Sequence, residues 1–233
     1  MKFLRLITIW AIFSSICVAG EKEDKAIEAA FSETTINSSS VGSIGGKPYL
    51  SAVLQMNNDN SIALALFQLD ETGNYKLIAK SAWCLRDARS RSESTEIKNN
   101  SVYFALSGLD SCCSDYYIHH QFKPVGDEFT LIGSEVSVMG FEAQREKDGT
   151  PIHEKYISYK SGSSTNYLTN KIREYRLERD SSSTPIEELS KDDFLISKNK
   201  KRVALDQTTS FSGTKKVLLE NFDIWKEMDN EPK

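Results

Sequence analysis

Turn-forming residues separate short β-prone stretches along most of this chain, and that alternation constrains its fold more than any other feature. Asn, Asp, Gly and Pro gather at residues 57–60, 70–74, 99–100, 124–127, 147–151 and 166–171. A short apolar or alternating stretch bounded by turns on both sides favours a strand over a buried helix. The sequence therefore predicts a mainly β protein, a single domain of antiparallel hairpin or meander sheets arranged like a sandwich or a barrel.

The predicted strands are residues 49–56, 61–69, 75–79, 101–106, 116–123, 128–133, 154–159 and 172–177, with further short strands at 194–197 and 203–205. The Ser- and Gly-rich stretch 160–164 is predicted to be a loop. Within residues 172–177, the two-residue period of a strand places Arg173, Tyr175 and Leu177 on one face.

A short helix is predicted at the N-terminal end of the β-rich part. Residues 21–33 carry Ile27, Phe31 and three alanines among charged residues, without Gly or Pro, as an amphipathic helix does. Residues 34–46 are rich in Ser, Thr and Gly and are predicted to be a loop. Residues 21–47 would then form a helix and a flexible lead-in to one β-rich domain, residues 48–233.

One or two short helices are also predicted near the C-terminal end. Thr184 has the position of an N-cap, Pro185 that of the first helical residue, and Glu187 stands three residues after the cap, so a helix would run to about residue 190. Residues 217–228 place apolar side chains at helical spacing, but a strand followed by an edge segment fits them equally well.

The first twenty residues have the layout of a secretory signal peptide. Lys2 and Arg5 precede an apolar run from residue 6 to 16, and Ala19 and Gly20 supply small residues for cleavage. The run is shorter than the roughly 20 residues that a helix needs to cross a bilayer. We therefore expect a periplasmic or secreted protein, with no transmembrane span in the mature chain.

Charge and composition narrow the classes of partner. Hydrophobic residues make up 39% of the 233 residues and charged residues 27%, which is enough apolar side chain to build a core. Loss of Lys2 and Arg5 with the signal peptide changes the net charge from −4 to −6. An acidic protein without a long basic run is a poor match for a phosphate backbone, so no nucleic-acid partner is expected.

Three cysteines remain after the signal peptide, and an oxidising compartment would allow a disulfide between two of them. Cys112 and Cys113 are adjacent, which places their Cα atoms too close together for an unstrained bond to each other. Cys84 is therefore predicted to pair with Cys112 or Cys113, for roughly 3.5 kcal/mol of stability on the chain-entropy model. The sequence contains no Cys-x-x-Cys pair, so a zinc site is not expected.

The sequence assigns no catalytic, cofactor-binding or metal-binding residue. It lacks a Gly-x-Ser-x-Gly elbow and a His-Glu-x-x-His pair. His119 and His120 are adjacent on a predicted strand, so their side chains point to opposite faces and cannot share one site. If Tyr116 lines the buried face, His120 lies on that side, half-buried and hydrogen-bonded, and His119 faces solvent. A site that pairs either histidine with His153 is the alternative.

Tyrosines offer the one candidate binding face. Tyr116, Tyr156, Tyr159 and Tyr167 fall in the second half of the chain. Core packing is the default for tyrosine on a sheet, but its amphipathic ring also serves as a glycan platform or a protein hot spot.

Several short strand and turn segments of the sequence resemble those of uncharacterised exported bacterial β-sheet proteins. They are NSVYF at 100–104, CCS at 112–114, EFTLIG at 128–133 and STNYLTNK at 164–171, within a resemblance that covers about residues 48–177. The resemblance implies export, a periplasmic location and a β fold. It implies no catalytic activity.

These observations lead to three functional hypotheses. The first is an exported non-enzymatic binding protein that recognises another exported protein, as an immunity protein or an inhibitor does. The second is a cell-envelope module that binds glycan or another ligand. The third is a hydrolase without a recognisable motif. None of the three requires a cofactor.

Overall fold

The computed structural model describes residues 20–86, 89–111, 114–145, 150–180, 202–212 and 216–223. For residues 111, 143–145, 151–156, 179–180 and 202–204 it describes the backbone only. The elements are α1 Glu21–Ala30, β1 Thr34–Ile44, β2 Lys47–Met56, β3 Ser61–Leu69, β4 Tyr75–Lys80, β5 Cys84–Leu85, β6 Ser90–Lys98, β7 Ser101–Ser111, β8 Ser114–Val125, β9 Glu128–Arg145, β10 Pro151–Asn166, β11 Lys171–Asp180, β12 Arg202–Ser210 and a 3-10 turn at Leu219–Asn221.

The strands form two open antiparallel sheets, which confirms the predicted mainly β, single-domain fold. In the small sheet, β1 to β4 lie in chain order and β5 pairs with β3. The large sheet is a meander of seven strands, β6 to β12, each paired with its neighbour in the chain. Connections of two to five residues join the strands from β6 to β11, as antiparallel neighbours need only a tight turn, whereas residues 181–201 separate β11 from β12.

The central strands of the small sheet are buried on both faces. One face packs on the large sheet around residues such as Leu64, Leu66, Phe104 and Phe122. The other face is covered by α1, whose Ile27 is fully buried in a second apolar cluster. Burial on both faces explains why β2 and β3 are continuous apolar runs rather than alternating ones.

The predicted flexible lead-in at residues 34–46 is wrong, because most of it is strand β1. Its serine hydroxyls accept hydrogen bonds from the free edge of β6: the Thr95 amide donates to Ser38 Oγ at 3.2 Å and the Ile97 amide to Ser40 Oγ at 3.2 Å. The serines that suggested a loop are thus the groups that join the edges of the two sheets, and they satisfy edge amides that would otherwise be open.

The predicted loop at residues 160–164 is also wrong, because these residues lie inside β10. Each of them pairs with β9 on one side and with β11 on the other, as in Gly162 between Ser137 and Tyr175. The stretch is polar because solvent reaches this part of the sheet, so polarity here marks exposure rather than a turn.

Residues 216–223, here called the closing segment, fill the opening between the two sheets beside β4 and β9. The Leu131 amide donates to the Val217 carbonyl at 2.8 Å, and the Ala82 amide donates to the Phe222 carbonyl at 3.2 Å. The side chain of Phe222 is fully buried. The segment is extended apart from its 3-10 turn.

The helix predicted at 184–190 lies outside the described residues.

Within the described ranges, no helix is both long and apolar enough to cross a membrane.

Candidate functional site

Strands β10, β11 and β12, here called the sheet extension, continue the large sheet beyond the shared core. Ile172 and Tyr175 are the only buried hydrophobic residues among those described in these three strands. The described side chains of β12, residues 205–210, are all exposed. A sheet that buries so little apolar surface must be held mainly by backbone hydrogen bonds and by pairs of polar side chains.

The core-side face of the extension, which is turned toward the small sheet, contains a shallow open groove of about 380 Å³. Its floor is made by small residues of β10, because Ser161 and Ser163 lie in register with Val138 and Val136 of β9. Its side-chain lining comprises Val136, Val138, Ser161, Ser163, Glu174, Arg176 and Leu205. The groove therefore combines apolar walls, hydroxyl groups and one pair of opposite charges.

Arg176 is the most highly connected residue of the groove. Its Nε donates to Glu178 Oε1 at 2.8 Å, and Nη2 also donates to Glu142. The guanidinium lies 4.6 Å from the ring centre of Tyr159, a cation–π arrangement. These contacts hold the planar guanidinium in a fixed orientation.

The outer face, which is turned away from the small sheet, carries a polar cluster centred on Tyr175. Its hydroxyl donates to Glu135 Oε1 at 2.7 Å, and Lys160 Nζ donates to the same oxygen at 3.3 Å. Arg173 forms a bidentate pair with Asp206, with distances of 2.7 and 2.8 Å. The Tyr175 ring lies 5.6 Å from Lys160 Nζ and 5.8 Å from Arg173 Cζ.

The protonation states of this cluster follow from its contacts. Burial, together with the hydrogen bond to Glu135, raises the pKa of Tyr175 above its usual value. Burial alone would raise the pKa of Glu135, but the hydrogen bonds from Tyr175 and Lys160 outweigh it and hold that pKa below its usual value. Tyr175 is therefore a neutral donor and Glu135 a charged acceptor at neutral pH. Neither is poised for proton transfer there.

The two adjacent histidines point to opposite faces, as predicted. His119 lies on the outer face opposite Glu135, is exposed, and has a pKa lowered by partial desolvation of its ring. His120 is 1% exposed. The expectation of a half-buried, hydrogen-bonded His120 is wrong, because its ring is buried against Phe104 and Phe222 and neither ring nitrogen has a partner among the described residues. The side chain of His153 is not described.

The structure does not bring the candidate tyrosines together. Tyr116 is a core residue whose hydroxyl lies 3.0 Å from Ser90 Oγ. Tyr159 lies on the groove side beneath Arg176, and Tyr167 sits in the turn after β10 against Phe211. The side chain of Tyr156 is not described. These placements separate Tyr116 from the other two described tyrosines.

Sequence reasoning missed the polar cluster on the outer face. The available signal was the alternation in residues 172–177, which correctly placed Arg173 and Tyr175 on one face. Their partner Glu135 is 40 positions away from Tyr175, and only the register of β9, β10 and β11 brings it into contact. The alternation alone could not identify that carboxylate.

The predicted disulfide stays a prediction. Cys84 is buried in β5. Cys112 and Cys113 lie outside the described residues.

Comparison with protein-family models, curated proteins and solved structures found no significant match.

Proposed function

We propose that this protein is an exported, non-enzymatic binding protein that recognises another exported protein through its sheet extension. The main observation behind this proposal is that three strands form a regular sheet but bury few apolar side chains. Among their described residues, Ile172 and Tyr175 are the only buried hydrophobic ones. Ordered structure that stabilises its own core so little is best explained as a platform for a partner.

The composition of the core-side groove supports a protein partner. Leu205 is 42% exposed beside the oriented guanidinium of Arg176, and Tyr159 lies under that guanidinium. Tyrosine and arginine are enriched at the energetic centres of protein interfaces, and an exposed apolar residue next to them offers area for burial. The shallow groove also fits a protein surface better than a small molecule, which normally binds in a deep cleft.

The protonation states on the outer face weigh against the hydrolase hypothesis for that cluster. A general base works best with a pKa near the operating pH, whereas the pKa of Glu135 is held below its usual value. The cluster also lies on an open sheet face. Its contacts tie β9, β10, β11 and β12 together, which is a structural role.

The test uses two exposed leucines of the same chain. The tagged full-length chain, with residues 1–20, is expressed in its source cells and recovered from an envelope extract as wild type, Leu205→Asp or Leu168→Asp. Leu205 borders the groove, whereas Leu168 is 66% exposed in the turn after β10. We expect a stoichiometric protein partner with wild type and Leu168→Asp and its loss with Leu205→Asp.

Two results would contradict this proposal. One is the absence of any stoichiometric partner from the wild-type preparation, and the other is equal recovery of the partner with both variants. Binding of the purified protein to peptidoglycan fragments, lost in Tyr159→Ala, would instead support the glycan hypothesis.

A further inference from the structure

His120 is a buried imidazole in direct contact with the closing segment. Its ring is stacked on Phe104 at 6.3 Å between centres and meets the edge of Phe222 at 4.8 Å. Phe222 in turn packs against Phe122 at 4.9 Å. A neutral imidazole is tolerated among these rings, although leaving its two nitrogens without partners has a desolvation cost. An imidazolium there would be far more costly, because nothing described solvates its charge.

Counting only bonds between described residues, the closing segment has fewer backbone hydrogen bonds than the strands that contact this histidine. Its backbone is tied by the Leu131 and Ala82 amides and by one bridge between Thr130 and Leu218. By contrast, β2 and β3 lie between two neighbouring strands along most of their length. Elements with few backbone hydrogen bonds open before the central strands of a sheet do.

The groups that surround His120 decide whether its charge could be compensated. The residues directly opposite His120 are Phe104 on β7 and Ser134 on β9. Neither carries a charge. The titratable groups that the small sheet contributes to the shared core are Tyr49 and Cys84. On β8 itself, His119 points to the opposite face.

The charged residues of the closing segment are Lys216, Glu220 and Asp223. Lys216 pairs with Glu128, Glu220 is exposed, and Asp223 directly follows Phe222. Burial, and to a smaller extent His119, lowers the pKa of His120 to about 3. None of these surroundings therefore offsets the cost of a buried imidazolium.

We propose that His120 and the closing segment form an acid-responsive latch, in which protonation of His120 releases residues 216–223 and opens the seam between β4 and β9. Release lets water reach the imidazole, whose usual pKa is about 6.5. Because the released state binds a proton that the closed state excludes, its population relative to the closed state rises about tenfold for each pH unit below that value. The seam would thus present an apolar surface in acid that is covered at neutral pH.

Hydrogen exchange of the full mature chain tests this latch. Exchange is measured by mass spectrometry at pH 7.0, 5.5 and 4.5, with correction for the intrinsic pH dependence of amide exchange. We expect protection of residues 216–223 to fall about eightfold between pH 7.0 and 5.5, and about ninefold more by pH 4.5, while β2 and β3 keep theirs. In His120→Phe this acid response should disappear, whereas His119→Gln should retain it.

Three outcomes would overturn the proposal. They are unchanged protection of the segment at acid pH, the same loss in His120→Phe as in wild type, and simultaneous loss across all strands. Should His120→Phe not fold, His120→Leu replaces it. Phe222→Ala gives an independent check, because the segment should then exchange rapidly even at pH 7.0, and continued protection would count against the latch.

Discussion

Tyr175 on β11 reaches across strand β10 to donate a hydrogen bond to Glu135 on β9, with 2.7 Å between the oxygens. The register partner of Tyr175 on the intervening strand is Gly162, so the ring crosses β10 at a position without a side chain. On the outer face, one phenol thereby ties β11 to β9 across the intervening strand β10.

Replacing Tyr175 by Phe should lower the free energy of unfolding by about 1 kcal/mol, because a charged acceptor loses its donor in a partly solvated site. Urea denaturation measures the change. Tyr103→Phe is the control: this tyrosine also lies on the outer face, and its hydroxyl has no hydrogen bond to the described residues. Equal destabilisation by both substitutions would show that the hydrogen bond to Glu135 contributes nothing.

The two glycines of the outer face should differ sharply in their tolerance of alanine. A Cβ on Gly162 would lie 2.4 Å from the Val136 carbonyl oxygen and 2.8 Å from Ser137 Cβ. On Gly133 the nearest atom would be 3.6 Å away. We expect Gly162→Ala to cost roughly 1–3 kcal/mol, and Gly133→Ala to change stability by about 0.5 kcal/mol at most. Thermal unfolding compares them, and similar melting temperatures would refute this packing.

The contact between β1 and β6 should depend on individual serine hydroxyls. Ser40→Ala removes the acceptor of the Ile97 amide and should cost about 1 kcal/mol, and Ser38→Ala should act similarly on the Thr95 amide. Ser43→Ala, at an exposed position of the same strand, should be nearly silent. Chemical denaturation measures the unfolding free energy of the three variants. An equal loss in Ser43→Ala would show that the hydroxyl–amide bonds between β1 and β6 contribute no stability.

Glu135 should make the protein more stable at neutral than at acid pH. Its folded-state pKa lies below the usual 4.5, so around that pH the folded protein binds fewer protons than the unfolded chain. Its contribution is therefore present above this range and lost as the pH falls through it. Glu135→Gln should flatten the fall in unfolding free energy between pH 6 and pH 3. The exposed Glu71→Gln controls for loss of one carboxylate, and an unchanged slope in Glu135→Gln would contradict the assignment.

The sequence predicted those strands whose stability depends on their own apolar residues. The predicted bounds of β3 match the structure because both of its faces are buried and turns delimit it. Strands β1 and β6 were missed because both are rich in polar residues, and some of those residues bond to each other across 57 positions of the chain. A weaker signal was present in β6, where the buried residues Glu93, Thr95 and Ile97 alternate with exposed ones.

The candidate site was less predictable than the fold. The polar residues 160–164 indicated a loop, whereas they form the part of β10 that lies between β9 and β11. Without that strand, the register that places Tyr175 above Gly162 and beside Glu135 could not be predicted. Local patterns report which face a side chain occupies. They do not report which residue two strands away shares it.

The closing segment also governs when the molecule can become native. Residues 216–223 follow all twelve strands in the chain, yet Phe222 and Leu219 complete the shared core. The shared core of a nascent chain therefore stays incomplete until these residues have left the ribosome, after all twelve strands have been synthesised.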